Sequence, residues 1–399
     1  MRVHAGVYPQ RAGASHESTG SVHTSDVRTD QLVDAAEILR WSPRTVRRWR
    51  WRYEQFGYSG LYDRRQKRPS PKRVPMKAAE KVLRLYREKY SGYNVKHFHE
   101  KLREDHEIKL SYQWVKVALQ TAGLVPKGTR QEKHRLRRER RPLKGMMIFV
   151  DGSTHHWLPG SKFRQDLILF LDDADNEVYT AYLADEEGTR TVLPGLKEMI
   201  GQYGLFCSLY TDRGSHFFHT PKAGGPVDKV QLTQLGRILA QLGIEHIPSY
   251  TPQARGRIER LFQTWQGRLP QELASAEITT LEGANEYIRR KFIPWHNRHL
   301  KVKAAETGNA FVPCLHADLD GICCVQEERH VNNDNTVSFG KLRLQILPVN
   351  WKSSLARCAV RVCDHLDGRL SLRYGPRVLG WYDAQSGELL GPAPLQRAA

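Results

Sequence analysis

The sequence predicts a multidomain protein with α-helical modules in its N-terminal part, an α/β domain in its centre and a small β domain near its C-terminus. Apolar residues recur at helical spacing up to about residue 125, and strand-like and helical stretches alternate from residue 146. The length of 399 residues also exceeds one ordinary domain of roughly 100 to 200 residues. The expected segments are a loose tail at 1–28, a helical module at 29–63, a basic linker at 64–76, a second helical module at 77–126, a basic connector at 127–145, an α/β domain with a helical extension at 146–313 and a small β domain at 331–385.

Positive charge is concentrated in the first part of the chain. Residues 1–145 contain 34 Lys and Arg against 15 Asp and Glu, which accounts for the whole formal net charge of +19, whereas the remainder holds 28 of each. An excess of this size suits a polyanion, since binding releases counterions and gains salt-dependent affinity. We therefore expect a nucleic acid partner, with an acidic membrane surface as the alternative interpretation.

The sequence offers no support for a membrane-spanning or exported protein. No apolar run approaches the ~20 residues that a membrane-spanning helix needs. The N-terminus lacks the apolar stretch and cleavage site of a secretory signal. We expect a cytoplasmic, nucleoid-associated protein with no membrane partner.

Residues 29–63 have the pattern of a helix-turn-helix. Apolar residues from Leu32 to Leu39 fall at helical spacing, and Ser42 followed by Pro43 forms a typical N-cap and first position of a second helix. That second helix is rich in arginine, and its candidate DNA contacts are Arg44, Arg47, Arg48 and Arg50. A short basic second helix is suited to the major groove, although a helical hairpin with a solvated Arg face is the structural alternative.

The next two segments extend the predicted DNA-binding region. The stretch RRQKRPSPKRVP contains three prolines, which preclude a continuous helix, and its charge favours an extended arm along DNA phosphates or in a minor groove. Arg64, Arg65 and Arg68 are its candidate contacts. Three helical patterns in residues 77–126 then predict a second DNA-binding module, whose third helix has a core of Trp114, Val117 and Ala118.

From residue 146 the pattern becomes that of a mixed sheet. The predicted elements are strands at 146–151, 166–173 and 177–183, a helix at 189–203, a strand at 205–212, a helix at 230–242, a strand at 244–248 and a helix at 251–269. Three consecutive antiparallel strands followed by alternating helices and strands are typical of the ribonuclease H type of sheet.

Three carboxylates occupy suitable positions in these elements. Asp151 and Asp212 each end a predicted strand, and Glu259 lies about two turns into a helix that closely follows another strand. Side chains at strand ends converge at the crevice where α/β sheets bind ligands. Carboxylate oxygens suit Mg²⁺, and two such ions can stabilise the entering and leaving oxygens of a phosphodiester. A single Asp at a strand end is usually a turn former, so the prediction depends on all three together.

The motifs that contain these acids resemble the DDE integrase core. They are VDGS at 150–153, YTDRGSHF at 210–217 and SYTPQARGRIERLFQTWQGRL at 249–269. The chain is similar over residues 31–385 to insertion-sequence transposases, particularly the ISNCY and related groups. This resemblance implies that Asp151, Asp212 and Glu259 form a catalytic triad holding two Mg²⁺ or Mn²⁺ ions. The 46 residues between Asp212 and Glu259 are more than such cores usually have, so we expect a flexible loop at 213–229.

The resemblance also implies an activity and partners. The protein would bind the terminal inverted repeats of an insertion element and catalyse DNA cleavage and strand transfer into target DNA, working as a homo-oligomer on DNA. Beside Glu259, Arg255 and Arg257 are candidate phosphate contacts, because arginine binds phosphate in a bidentate manner.

Other polar residues have structural interpretations that we favour. Asp172 and Asp173 precede a turn-like Ala-Asp-Asn, which makes metal ligation the less favoured hypothesis. His155 and His156 follow Asp151, where a loop role is favoured over contact with DNA. The six cysteines form no paired C-x-x-C set, so we expect reduced thiols and no zinc site.

Two alternative functions remain from the sequence. A domesticated transposase without catalysis, or a helix-turn-helix regulator, would use the N-terminal modules but would not need three convergent acids. A ribonuclease H that cleaves RNA would share the core chemistry but would not need tandem DNA-binding modules.

Overall fold

The computed structural model describes residues 29–61, 73–128, 138–222, 225–228, 230–250, 252–315 and 318–392. The predicted tail at 1–28 and the linker arginines Arg64, Arg65 and Arg68 lie outside these ranges. The chain divides into two compact units, Met1–Lys81 and Val82–Ala399. None of the helices in the described ranges has the length and apolar character needed to cross a membrane.

The first unit contains the predicted pair of helices. The helices are α1 (Thr29–Ile38), α2 (Pro43–Phe56) and the short α3 (Tyr58–Leu61). Leu32 and Ala36 of α1 pack with Val46 of α2 in a small apolar core. The hydroxyl of Ser42 accepts a hydrogen bond from the Thr45 amide at 3.3 Å, which confirms the predicted N-cap. Packing of one face of α2 leaves Arg44, Arg47 and Arg48 exposed, whereas the Arg50 Nε donates to Glu54 Oε1 at 2.7 Å.

The turn between α1 and α2 is a Schellman motif centred on Arg40. The Trp41 amide donates to the Ala36 carbonyl at 2.8 Å, and the Arg40 amide donates to the Glu37 carbonyl at 3.1 Å. This pattern requires a left-handed residue, and Arg40 has φ 52°. The turn therefore uses a non-glycine residue in a conformation that favours glycine.

Arg40→Gly should raise the free energy of unfolding of the helix-turn-helix by roughly 0.5–1 kcal/mol, because glycine adopts the left-handed conformation without steric cost. The matched control is Arg48→Gly within α2, where glycine should lower stability by about 1 kcal/mol. Thermal unfolding followed by circular dichroism measures both. Destabilisation by Arg40→Gly would show that its side chain contributes more than the backbone conformation costs.

The second helical module has a core of aromatic and aliphatic residues. Its helices are α4 (Met76–Glu88), α5 (Val95–Glu104) and α6 (Tyr112–Thr121). From α6, Val115 and Leu119 fill the core and the partly buried Trp114 packs against it, whereas Val117 is 48% exposed. The predicted core position is therefore confirmed for Trp114 and wrong for Val117, and Ala118 is half-buried. Periodicity defined the helix, but packing against Phe98 and Leu102 determined which stripe faces inward.

The central domain is a mixed sheet with helices on both faces. Its strands are β1 (Ile148–His155), β2 (Gln165–Asp172), β3 (Val178–Ala184), β4 (Ser208–Thr211) and β5 (Glu245–Pro248). The strand order is β3-β2-β1-β4-β5; β1, β2 and β3 pair antiparallel, and β1, β4 and β5 pair parallel. This arrangement confirms the predicted sheet of the ribonuclease H type.

The helices of this domain form two layers. They are α7 (Thr189–Tyr203), α8 (Gln234–Gln241), α9 (Pro252–Gln266), α10 (Leu269–Ser275), α11 (Leu281–Tyr287), a π-helical segment (Ile288–Phe292) and α12 (Ile293–His299). Ile148 and Val150 of β1 pack in the cluster that contains residues of α7 and α8. Met147 and Phe149 pack in the cluster on the other face, with Ile258 and Trp265 of α9. The alternation along β1 thus assigns each face to its own helical layer.

The C-terminal β domain is longer than predicted. After α13 (Leu319–Ile322), its strands are β6 (Val325–His330), β7 (Thr336–Phe339), β8 (Leu342–Gln345), β9 (Ala359–Asp364), β10 (Arg369–Tyr374), β11 (Arg377–Asp383) and β12 (Leu389–Pro392). A five-stranded sheet has the order β12-β11-β10-β9-β6, and β7 pairs with β8. The sheet therefore begins before residue 331 and ends after residue 385, because β6 and β12 are its edge strands.

A largely buried polar network joins the second helical module to the central α/β domain. The His97 Nε2 lies 2.9 Å from Glu272 Oε1, and Arg268 Nη1 donates to Glu100 Oε2 at 2.5 Å. The Arg268 guanidinium also lies 3.7 Å from the ring centroid of Trp295. Burial opposes ionisation of Glu272, but the hydrogen bond from His97 and the positive charges of Lys101 and Arg268 lower its pKa to about 2.

Glu272→Gln should lower the free energy of unfolding by roughly 2–4 kcal/mol at neutral pH, because it removes one partner from a buried network. Since the pKa of Glu272 is depressed on folding, its contribution is present above pH ~4.5 and is lost as pH falls towards ~2. The difference between wild type and Glu272→Gln should therefore shrink over that range.

The matched control is Glu104→Gln, a change at an exposed residue of α5. Urea unfolding at a series of pH values provides the measurement. A difference that does not change with pH would contradict the assignment of Glu272 as an ionised partner.

Candidate active site

Asp151 lies where β1 extends beyond its parallel neighbour. We expected the strand to end at Asp151, but β1 continues to His155 because β2 pairs with it along its whole length. Its pairing with β4 is limited to Ile148 and Phe149. Asp151 has the same parity along the strand as Phe149, so it shares the face covered by α9. Its side chain is only 6% exposed.

Asp212 directly follows β4 and is held by the turn after it. Its Oδ1 accepts a hydrogen bond from the Gly214 amide at 2.8 Å. A Cβ added at Gly214 would lie 3.0 Å from that same oxygen and from the ring of His216. The glycine of the YTDRGSHF motif therefore permits the close turn that positions the Asp212 carboxylate.

Arg255 connects the two aspartates. Its Nη2 donates to Oδ1 and Oδ2 of Asp151 at 2.6 and 2.5 Å, and its Nη1 lies 3.6 Å from Asp212 Oδ2. We expected Arg255 to contact DNA, but in this structure both oxygens of Asp151 bind its guanidinium. A cationic group thus already occupies the space between the two carboxylates.

Glu259 is one helical turn after Arg255 on α9, and its side chain is exposed. Within the described ranges, no three His, Cys, Asp or Glu side chains lie close enough together to hold a metal ion. The structure therefore brings Asp151 and Asp212 together as expected but does not add Glu259 to them. The physical reason is that the Arg255 guanidinium, and not a carboxylate, faces Asp151 from α9.

Two residues that were not predicted from the sequence, Glu187 and His216, also lie beside this site. Glu187 follows β3, and a Cβ added at Gly152 would lie 2.3 Å from its Oε2, so the Glu187 carboxylate packs on the backbone next to Asp151. Its Oε1 lies 3.5 Å from the His216 Nε2. In the sequence, Glu187 is an acidic residue shortly after a predicted strand, and His216 lies in the same motif as Asp212. Neither feature by itself indicates that the residue lies near Asp151.

Burial dominates the electrostatics of Asp151. Its loss of solvent raises the pKa of the carboxyl to about 7, and nearby Glu187 and Asp212 act in the same direction, while Arg255 partly counteracts them. Burial opposes the charge of Arg255, yet its bond to Asp151 and the charges of Asp151, Asp212 and Glu259 raise its pKa. The site thus places one buried carboxylate, that of Asp151, beside other acids, where a neighbouring cation compensates its charge.

Asp172 and Asp173 bind neighbouring backbone and side-chain groups of the protein, in agreement with the structural interpretation that we favoured. Asp172 accepts hydrogen bonds from the amides of Gly145 and Ala174 and from the Tyr179 hydroxyl, at 2.7–2.8 Å. Asp173 is fully buried and forms ion pairs with Arg138 and Arg257.

Arg257 therefore does not lie at the position that we expected for a DNA contact. Its side chain is 10% exposed, and it also donates to the Arg138 carbonyl. Because Arg255 and Arg257 are two residues apart on a helix, their side chains leave α9 in different directions. The Arg257 side chain extends to the β2–β3 turn, where the Asp173 carboxylate binds it.

The residues that follow Asp151 mostly pack or face solvent. The His155 ring packs edge-on against Trp157 at 5.2 Å, and His156 is exposed. Trp157 is fully buried and donates from its indole to the Ser153 carbonyl at 2.9 Å. All six cysteines are free thiols. In the segment 213–229, where we expected a flexible loop, Phe217 is buried in the core.

Comparison with known proteins identifies related chains. Residues 29–70 match a family model described as a helix-turn-helix domain. The chain is 27% identical over 347 residues to the y4bF protein of Sinorhizobium fredii, provisionally named a transposase, matching 86% of this chain and 75% of that one. It is 29% identical over 285 residues to the transposase for insertion sequence IS1202 of Streptococcus pneumoniae, matching 63% and 61% of the two chains. The resemblance to transposases that the motifs indicated is confirmed.

Solved structures with similar folds are more distant. The integrase catalytic core domain of HTLV-2 in complex with magnesium has 17% identity and a TM-score of 0.30, covering 42% of this chain and 96% of that one. A chain of the simian T-cell lymphotropic virus intasome in complex with PP2A regulatory subunit B56 gamma has 13% identity and a TM-score of 0.34, covering 74% and 99%. The fold assignment depends on the strand order and directions described above.

Proposed function

We propose that this homologue of insertion-sequence transposases binds the terminal inverted repeats of a mobile element and catalyses cleavage and transfer of DNA strands. The observation that carries the proposal is the paired Asp151 and Asp212 carboxylates, held by a cationic group where β1 extends beyond β4. Glu259 lies on the helix that supplies this cationic group and is the third proposed acid. Mere DNA binding does not require a second acid to be held next to a buried carboxylate.

The donor set fits a hard divalent cation. Asp151 and Asp212 supply carboxylate oxygens, which Mg²⁺ and Mn²⁺ prefer, and they already face one cation in the form of Arg255. We propose that Asp151, Asp212 and Glu259 hold two such ions. When bound, the ions would activate a nucleophilic oxygen and stabilise the leaving oxygen of a phosphodiester. Asp151 and Asp212, fixed by β1 and by the Gly214 turn, would orient the reacting phosphate.

The N-terminal modules are the proposed DNA-end readers. Arg44, Arg47 and Arg48 are exposed on α2, the second helix of the helix-turn-helix, which is the helix that enters the major groove in such motifs. Because one active site for each element end is the simplest way to process two ends, we propose a DNA-bound homo-oligomer as the working species. We also propose that the protein acts in the cytoplasm on the nucleoid.

Asp151→Asn, Asp212→Asn and Glu259→Gln should each reduce Mg²⁺- or Mn²⁺-dependent cleavage of element-end DNA more than about 100-fold, as removal of one electrostatic stabiliser of a transition state commonly does. Binding of the same DNA should change little, because the helix-turn-helix is a separate unit. Cleavage and strand transfer on end-labelled DNA, together with a gel-shift titration, measure both effects.

The control is Glu282→Gln, which changes an exposed acid in the first turn of α11 and should leave cleavage unchanged. Retained cleavage in any of the three variants would remove that residue from the proposed triad. Wild-type protein that binds element ends but never cuts them would instead favour a DNA-binding regulator with an inactive core.

Arg47→Ala and Arg48→Ala should weaken binding to element ends, and the slope of log affinity against log salt should become shallower by about 0.9 for every phosphate that a variant no longer neutralises. The control is Arg298→Ala, which removes an exposed arginine from the helical extension of the core. Fluorescence anisotropy at several salt concentrations provides the measurement. An equal reduction of affinity in all three variants would indicate general charge attraction and not recognition by α2.

A further inference from the structure

We propose that Arg255 is a built-in counter-ion for the metal site: its guanidinium holds Asp151 and Asp212 in the cation-free protein and must leave them when a divalent ion binds. The inference rests on the proposed function, since it concerns the same site. It assigns Arg255 a positioning role that is distinct from that of the three acids.

The hydrogen bonds of Arg255 use the oxygens that a metal ion would need. Both oxygens of Asp151 accept from Nη2, at 2.6 and 2.5 Å, while Nη1 approaches Asp212 Oδ2 at 3.6 Å. A guanidinium in this geometry makes charge-assisted hydrogen bonds, which are among the stronger ones in proteins. A divalent ion and the guanidinium therefore compete for one space and one set of oxygens, and their charges repel each other.

Burial explains why the site needs a counter-ion. The side chain of Asp151 is 6% exposed, and Glu187 and Asp212 add negative charge near it. An unpaired carboxylate in this position would lose its hydration without compensation. The hydrogen bonds from Arg255 therefore compensate the buried carboxylate and hold both of its oxygens in place in the cation-free protein.

The guanidinium has a path out of the site. Arg255 is 28% exposed, and it lies on the first turns of α9, one turn before the exposed Glu259. Rotation of its long side chain moves the charge to the protein surface without moving the helix. Since DNA bound at the site brings phosphate oxygens next to the metal position, the released guanidinium gains a bidentate partner there. DNA should thus raise metal affinity, and metal should raise DNA affinity by the same factor.

The test measures Mn²⁺ binding by the full chain without DNA, using electron paramagnetic resonance of free Mn²⁺. Arg255→Gln removes the competing charge and should bind Mn²⁺ about tenfold more tightly than wild type, as expected for the loss of charge-assisted hydrogen bonds. Its melting temperature in EDTA should fall, and Mn²⁺ should raise that temperature more than it does for wild type. Arg255→Lys keeps the charge but has only one nitrogen to contact Asp151 and Asp212, and its affinity should be intermediate.

The matched control is Arg260→Gln on the same helix, where the exposed Arg260 Nε donates to the Gly256 carbonyl at 2.8 Å. It should bind Mn²⁺ like wild type. The gain in Arg255→Gln should disappear when Asp151→Asn is added, which places the bound ion in this site.

Two results would overturn the inference. If Arg255→Gln and Arg255→Lys are both folded and bind Mn²⁺ no more tightly than wild type, Arg255 does not compete with the ion, whereas the proposed function stands provided that wild type cleaves element ends with Mn²⁺. If no form of the protein binds Mn²⁺ and wild type does not cleave DNA, the inference and the proposed function fail together.

Discussion

The buried carboxylate of Asp151 imposes the constraint on which the arrangement of the core depends. A charge with so little exposure requires a positive partner, and the structure provides Arg255 from the helix that covers the same face of the sheet. That helix can supply it only because α9 packs with Ile258 and Trp265 against the face of β1 that carries Phe149 and Asp151. The electrostatics of the site and the packing of the core therefore depend on the same contact between strand and helix.

A second buried acid anchors the other side of α9. Asp173, at the turn between β2 and β3, binds Arg257 from α9 and Arg138 from the basic connector. The Arg141 amide also donates to Asp173 Oδ2 at 2.7 Å. The two arginines that flank Gly256 thus bind two different aspartates, which fixes the rotation of α9 about its axis. Since Glu259 lies on that helix, its position relative to Asp151 depends on both ion pairs.

The second helical module contacts the core through polar groups. His97 and Glu100 of α5 contact Glu272 and Arg268. These contacts connect the module to α10 and to the residue at its N-terminus. Such an interface is specific in geometry and sensitive to the removal of any one partner, as expected for buried ion pairs. It provides a physical connection between a proposed DNA-binding element and the helical layer that carries Glu259.

Much of the architecture could be predicted from the sequence because it depends on local patterns. Helix α7 occupies the predicted residues, Ser42 caps α2, and the strand order follows from the alternation of strands and helices. The positions of Asp212 directly after β4 and of Glu259 on α9 were also predicted, whereas Asp151 lies within β1 and not at its end. The inward stripe of α6 was predicted only in part, because Val115 and Val117 are equivalent in hydrophobicity and only the packed neighbours distinguish them.

The residue types that lie near Asp151 and Asp212 follow from the sequence, whereas their pairing follows from the tertiary structure. Arg255 and Arg257 are two residues apart on a helix and look alike in sequence, yet one binds Asp151 and the other binds Asp173. Glu187 reaches the site only because β3 ends beside it and Gly152 leaves room for its carboxylate. Such pairings depend on distances between segments far apart in the chain, and no local pattern encodes those distances.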